Sequence, residues 1–284
     1  MSTLAVIQHA YARGRRTVSR RAAYIVTPFL LVGCVMSTQQ EVQVGTQYAQ
    51  QINAQLPIVR DASVNQYINS LGMSLARLTD RRGLSWRFFV VDSREVNAFA
   101  VPGGFVYVNR GLIERARTMN QLAGVLAHEI AHVTERHSVE QLAQAQRADL
   151  GISLACILTS VCQSGVGSAA IQVGGSALFA KFSRDDEAQA DARAVTTLVR
   201  AKIDPRGIVN MFQTLLNERR SRPTAVDAWF RTHPLEEDRI AETNSRIAQV
   251  PAAQLRGLTV DTQGYQSFRS RLVGLPVQAA RRTR

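Results

Sequence analysis

His128-Glu129-Ile130-Ala131-His132 places two imidazoles and a carboxylate within one short stretch. On a helix, residues four apart stand on one face, about 40° apart around the axis. Histidines so placed can share one metal ion, and the glutamate beside them can reach a water held by that ion. The surrounding residues favour a helix, because Leu122, Val125, Leu126, Ile130 and Val133 recur at helical spacing. Their stripe lies about a third of a turn from the histidines, so His128 and His132 are expected to stand off the apolar face. Asn120 is the expected N-cap of a helix running to about residue 140.

A catalytic zinc site takes three protein ligands and keeps a further position for water. The best third ligand lies in Ser183-Arg184-Asp185-Asp186-Glu187-Ala188-Gln189-Ala190-Asp191. Glu187 and Asp191 are four apart, and like charges at that spacing repel unless something neutralises them. A metal on Glu187 and an imidazole N–H on Asp191 would do so, the second carboxylate fixing the tautomer of a ligand histidine. The alternative is an exposed pair solvated by Arg184 and Arg193. His137 lies about 140° round a continuous helix from His132 and reads as a structural or capping histidine. His233 precedes Pro234, a position that also suits helix capping.

The elements that must position these groups follow from periodicity. Residues 62–80 carry Val64, Tyr67, Ile68, Leu71 and Leu75 at helical spacing. Residues 85–92 are aromatic and β-branched, which predicts a strand. Residues 97–101 and 105–109 flank Pro102-Gly103-Gly104 and predict a hairpin. Further helices are expected at 183–201, 205–219 and 234–248, with Pro251 after the last. Residues 37–58 are polar and Gln-rich, a tether running into the first helix. In the tail, Tyr265, Phe268 and Leu272 fit a short docked helix. The fold class is α+β, mainly helical with a small sheet.

Taken together, the HEIAH and SRDDEAQAD segments, then Thr232-His233-Pro234 with Arg239 downstream, resemble the zinc metallopeptidases of the HtpX/BepA/LoiP type. These are gluzincins, related to the CAAX prenyl proteases. The segment NAFAVPGGFVYVNRGLI is similar to theirs as well, and the likeness covers about residues 45–248. It implies one Zn²⁺ per chain, ligated by His128, His132 and Glu187. It also implies Glu129 as general base and Asp191 as the acid behind a ligand histidine. His233 matches a histidine over the metal, either stabilising the oxyanion or closing the site as a fourth ligand. Arg239 would support that region. Unfolded or misfolded polypeptides are the implied substrates, paired in extended form along Asn97, Ala98, Phe99, Ala100 and Val101. The chain departs from BepA in lacking helical repeats after the protease region, and from HtpX in lacking membrane spans. The short, lipidated, periplasmic members match it best.

The N-terminus reads as an address. Arg13, Arg15, Arg16, Arg20 and Arg21 precede the apolar run 22–33, which is too short to span a bilayer. Leu31-Val32-Gly33-Cys34 resembles a lipobox, which makes Cys34 a lipidation site, and Val35 after it leans toward the outer membrane. The expected organisation is a signal peptide at 1–33, a lipidated tether at 34–45, a peptidase domain at 46–250 and a tail at 251–284. This places the protein in the periplasm of a Gram-negative envelope, membrane-bound through lipid, with the outer-membrane assembly machinery as a candidate partner. Cys156 and Cys162 would then meet an oxidising compartment, either pairing across a bend or staying as buried thiols. The net charge of +12 is concentrated partly in the leader and forms no aromatic-interleaved stripe, so nucleic-acid recognition is not expected. Two other classes stay open: a zinc-binding chaperone or assembly factor with latent proteolysis, and a structural lipoprotein that merely binds metal.

Overall fold

The computed structural model describes residues 36–145, 181–234 and 237–277. The leader, Cys34, Cys156 and Cys162 lie outside the described residues. The elements run α1 (Thr38–Gln55), α2 (Ala62–Thr79), β1 (Arg87–Val91), β2 (Ala98–Val101), β3 (Phe105–Asn109), α3 (Arg110–Arg115) and α4 (Met119–Thr134). They continue with α5 (Arg184–Arg200), α6 (Arg206–Ser221), α7 (Pro223–Thr232), α8 (Glu237–Ala248) and α9 (Gln263–Gly274). This is the expected α+β class, a mainly helical domain with a small mixed sheet.

The sheet has the order β1-β3-β2. β1 runs parallel to β3, from Arg87 opposite Phe105 to Val91 opposite Asn109. β2 runs antiparallel to β3, from Ala98 opposite Val108 to Val101 opposite Phe105. The tight turn between them works because Gly103 and Gly104 take φ of 83° and 97°, which side chains disfavour. Alternation along the strands splits the side chains between two layers. Phe88, Val90, Ala98, Ala100, Val106 and Val108 join the main core with α2 and α4. Val91, Phe99, Val101, Phe105 and Tyr107 form a second cluster with Ala49 of α1.

Helix α1 begins inside the stretch expected as a tether. Ser37 and Gln40 make a capping box at its start. Glu41 is buried on its inner face, 2.6 Å from Arg82 and 3.3 Å from the Gly103 amide. Arg82 in turn donates to the Val133 carbonyl at the end of α4.

Helix α4 differs from the expectation in three ways. Its N-cap is Thr118, while the Asn120 side chain donates to the Asp204 carbonyl at 3.2 Å. It is buried on every face from Met119 to Val133, so its histidines are interior. A helix that is apolar nearly all round sits inside a fold, enclosed here by α2, α5, α6 and the sheet. Finally, it stops at Thr134 rather than near residue 140. Arg136 takes φ of 67°, and a new helical stretch begins at 137.

Helix α7 was not expected, although Pro223 marks its first turn. Helix α9 docks as expected: Tyr265, Phe268 and Leu272 are buried, and Phe268 stacks on Tyr67 at 4.5 Å. Among the described residues, no helix is long and apolar enough to cross a membrane.

Candidate metal centre

Three stretches of chain converge on one buried point. Helix α4 supplies His128, Glu129 and His132. Helix α5 supplies Glu187 and Asp191. The residue capping the end of α7 is His233, whose amide donates to the Trp229 carbonyl. Each of these groups is at most 1% exposed.

Helix α5 is well suited to present carboxylates. Ser183 and Asp186 form its capping box. Asp185, Asp186 and Glu187 fill its first turn, where the helix dipole favours negative charge. Glu187 and Asp191, one turn apart, both face α4.

One ligand atom from each of His128, His132, Glu187 and His233 lies within 4.8 Å of the other three. His128 Nε2 is 3.0 Å from His132 Nε2, 3.4 Å from His233 Nδ1 and 3.5 Å from Glu187 Oε2. Glu187 Oε1 is 3.5 Å from His132 Nε2 and 2.9 Å from His233 Nδ1. Donors about 2.1 Å from a tetrahedral zinc ion stand about 3.4 Å apart, so these separations bracket what zinc requires. Imidazole and carboxylate are also the donors zinc prefers. The cluster therefore fits a single Zn²⁺ ion.

A second set of contacts holds the donors. Asp191 Oδ1 is 2.9 Å from His128 Nδ1, the arrangement expected for a carboxylate that orients a ligand imidazole. Arg239, on α8, donates to both oxygens of Asp191 at 2.6 and 2.9 Å and pairs with Glu187 Oε2. It neutralises the two carboxylates, while Arg193 pairs with Glu135. Its guanidinium also lies over the Phe212 ring at 4.6 Å. Trp229 stacks on His233 at 4.6 Å and Phe182 on His132 at 3.9 Å, so both rings are clamped from one side.

Electrostatics follow from burial and these partners. Burial alone would suppress charge on His128, but Glu187 and Asp191 outweigh it and raise its pKa to about 9. Burial holds His132 well below its ordinary range, hence neutral. Burial opposes charge on Glu187 too, yet His233, Arg239 and His128 together hold it well below the usual carboxylate range. Asp191 is lowered in the same way, burial being outweighed by Arg239. Glu129 goes the other way: burial raises it, against the pull of His233 and His128. Its Oε1 is buried with no hydrogen-bond partner among the described residues.

Every ligand candidate named from the sequence is brought to this point, with Asp191 behind His128 and Arg239 beside both carboxylates. Asn97 and the strand after it give no donor to this cluster; β2 packs against α4, pairs only with β3 among the described residues and so forms a sheet edge. Sequence reasoning missed the contact between His137 and His132, and the aromatic clamps Phe182 and Trp229. His137 Nδ1 is 3.0 Å from His132 Nδ1 because the helix breaks before it.

The sequence model of peptidase family M48 matches residues 62–247. The chain is 32% identical over 253 residues to the beta-barrel assembly-enhancing protease of Escherichia coli (strain K12), covering 86% of this chain and 50% of that protein. It is 29% identical over 195 residues to the mitochondrial metalloendopeptidase OMA1 of Schizosaccharomyces pombe, covering 69% of this chain and 56% of that one. To the metalloprotease YcaL of Escherichia coli it is 30% identical over 167 residues, covering 58% and 64% respectively. The chain thus spans about half the length of the assembly-enhancing protease it matches.

Proposed function

Because the chain belongs to peptidase family M48, we propose that it is a zinc-dependent endopeptidase in which Glu129 is the general base. The carrying observation is Glu129 itself, whose Oε1 is buried and unpaired by hydrogen bonds beside a four-donor metal cluster. His128, His132 and Glu187 would hold the zinc, which would supply a Lewis acid for the scissile carbonyl and acidify water at neutral pH. Glu129, its proton affinity raised by burial, takes a proton from the attacking water and passes it to the leaving amine. Asp191 keeps the Nε2 of His128 turned to the metal, and Arg239 keeps Asp191 and Glu187 ionised. His233 lies where it can donate to a developing oxyanion once its ring leaves the ligand cluster. The substrate runs extended along β2, Asn97 to Val101, through main-chain hydrogen bonds.

The remaining parts of this reading rest on the leader and on the relatives. The protein is anchored through lipid on Cys34 and faces the periplasm, at the outer membrane. Its substrates are misfolded or unassembled envelope and outer-membrane proteins, and the outer-membrane assembly machinery is a partner. The order of basic, apolar and Leu-Val-Gly-Cys segments supports the first part. The name of the Escherichia coli relative supports the second.

The test is zinc content together with cleavage of unfolded casein, for wild type and Glu129→Gln, with and without a chelator. One zinc per chain, with cleavage lost in the variant and on chelation, is the expected result. Absence of zinc from the purified wild type overturns the assignment.

One observation favours a second reading. Four protein donors converge, and His233 fills the position a reacting water needs. A chaperone or assembly factor with latent proteolysis would rest in this state. Glu129→Gln separates the two, because a chaperone keeps its function and a peptidase does not.

A further inference from the structure

The two helical histidines are held differently from behind. The outer nitrogen of His128 meets a carboxylate, Asp191, whereas that of His132 meets another imidazole. His137 Nδ1 lies 3.0 Å from His132 Nδ1, with the rings edge to face at 74°. His137 is itself buried, 3% exposed, and its Nε2 makes no hydrogen bond among the described residues. That nitrogen is 3.7 Å from Asp186 Oδ1, an ion-pair rather than a hydrogen-bond distance.

The protons on this chain of groups are set by its inner end. His132 turns Nε2 toward the ligand cluster. A neutral imidazole that offers Nε2 to a metal carries its proton on Nδ1 and must donate from there. His137 Nδ1 is then the acceptor, so the His137 proton sits on Nε2, facing Asp186. Asp186 is fixed in turn, its Oδ2 accepting from the Ser183 amide at 3.0 Å. Each group takes one role and no donor faces a donor.

The backbone delivers His137 at some cost. Had α4 continued, His137 would stand about 140° away from His132. Arg136 instead adopts φ of 67°, a left-handed conformation unusual for a residue with a side chain. It is held there through Glu41, 3.5 Å away, and the Met36 carbonyl, to which it donates.

We propose that His137, steadied by Asp186, is a positioning residue for the metal: it fixes the tautomer and ring orientation of His132. The inference rests on the zinc reading above. Because the buttress is an imidazole rather than a carboxylate, it orients His132 while adding less electron density to it than Asp191 adds to His128.

The experiment compares wild type with His137→Leu, which removes the acceptor, and His137→Asn, whose amide keeps a polar atom near the Nδ1 position. Zinc affinity is read by competition with a chromophoric chelator, and ligand geometry by the visible spectrum of the cobalt-substituted protein. The leucine variant is expected to lose about 10- to 100-fold in zinc affinity with an altered cobalt spectrum, and the asparagine variant to stay close to wild type. Wild-type affinity and spectrum in the leucine variant overturn the proposal, as does an asparagine variant as impaired as the leucine one. A measurement that needs no variant is the long-range ¹H–¹⁵N correlation of the imidazoles in zinc-loaded wild type. A proton on His137 Nε2 is expected, and a proton on Nδ1 overturns the assignment. Wild type that binds no zinc defeats the peptidase reading itself, whereas wild-type zinc binding with an indifferent His137 defeats only this inference.

Discussion

The ring of His233 reaches the carboxylate of Glu129: Nε2 stands 3.5 Å from Oε1. Its other nitrogen is 2.9 Å from Glu187 Oε1. One side chain therefore bridges the proposed base and a proposed ligand, and it must move for both to act on substrate. Removing even an outer-shell partner of a metal ligand costs about 10- to 100-fold, so His233→Ala is expected to bind zinc at least about tenfold more weakly. Cleavage of unfolded casein per zinc-loaded chain is expected to fall about 10²-fold or more, because the oxyanion donor is lost; a rise would mark His233 as the residue that closes a latent site. Unchanged zinc affinity with lost cleavage would place His233 at the reacting carbonyl alone.

Arg239 is the buried cation against two buried carboxylates. Replacing it with methionine keeps much of the volume and strands those charges, which is expected to destabilise the metal-free protein by about 3–5 kcal/mol. Added zinc should recover part of the loss, since the dication takes over at Glu187. Urea unfolding of wild type and Arg239→Met, each with and without zinc, measures both effects.

Zinc binding should release a proton near neutral pH. His128 without metal keeps its extra proton up to about pH 9, because Glu187 and Asp191 outweigh its burial. Zinc must displace that proton from Nε2, so affinity rises with pH, by about one log unit per pH unit below 9, and levels off above. His132 is already neutral and adds nothing to this slope. Calorimetry in buffers of different ionisation enthalpy counts the protons. A slope near zero between pH 7 and pH 9 would contradict the assignment.

Gly124 sets the distance between α4 and α6. A Cβ there would meet the Cα and Cβ of Ile208 at 2.8 Å and its backbone nitrogen at 2.9 Å. Gly124→Ala is expected to cost about 1–3 kcal/mol through overpacking, and a thermal melt reads it directly. Zinc affinity should fall as well, because the displaced helix carries His128 and His132.

What could be read in advance divides by range. The metal-binding helix, the hairpin around Pro102-Gly103-Gly104 and the tail helix are local patterns, and each formed, although the first is capped by Thr118 and stops at Thr134. Glu187 and Asp191 stood out because like charges one turn apart need a shared neutraliser. Arg239 gave no such signal of its own and entered only through the resemblance. An arginine in a charged segment is ordinary until Arg239, Thr243 and Ile247 are known to be the buried face of α8. The contact of His137 with His132 was hidden because it depends on a backbone break at Arg136 that no glycine or proline announces. Helix α1 was legible but unread: Ser37 and Gln40 form a capping box that polar composition disguised as a tether.

The centre is drawn from chain positions as far apart as His128 and Arg239, 111 residues. A polypeptide made from its N-terminus acquires the HEIAH stretch well before His233 and Arg239 exist. The growing chain thus carries Glu129 and both helical histidines before the arginine that pairs with Glu187 and Asp191. The centre is therefore fastened from its C-terminal side: its supporting arginine is among the last of its parts to be made.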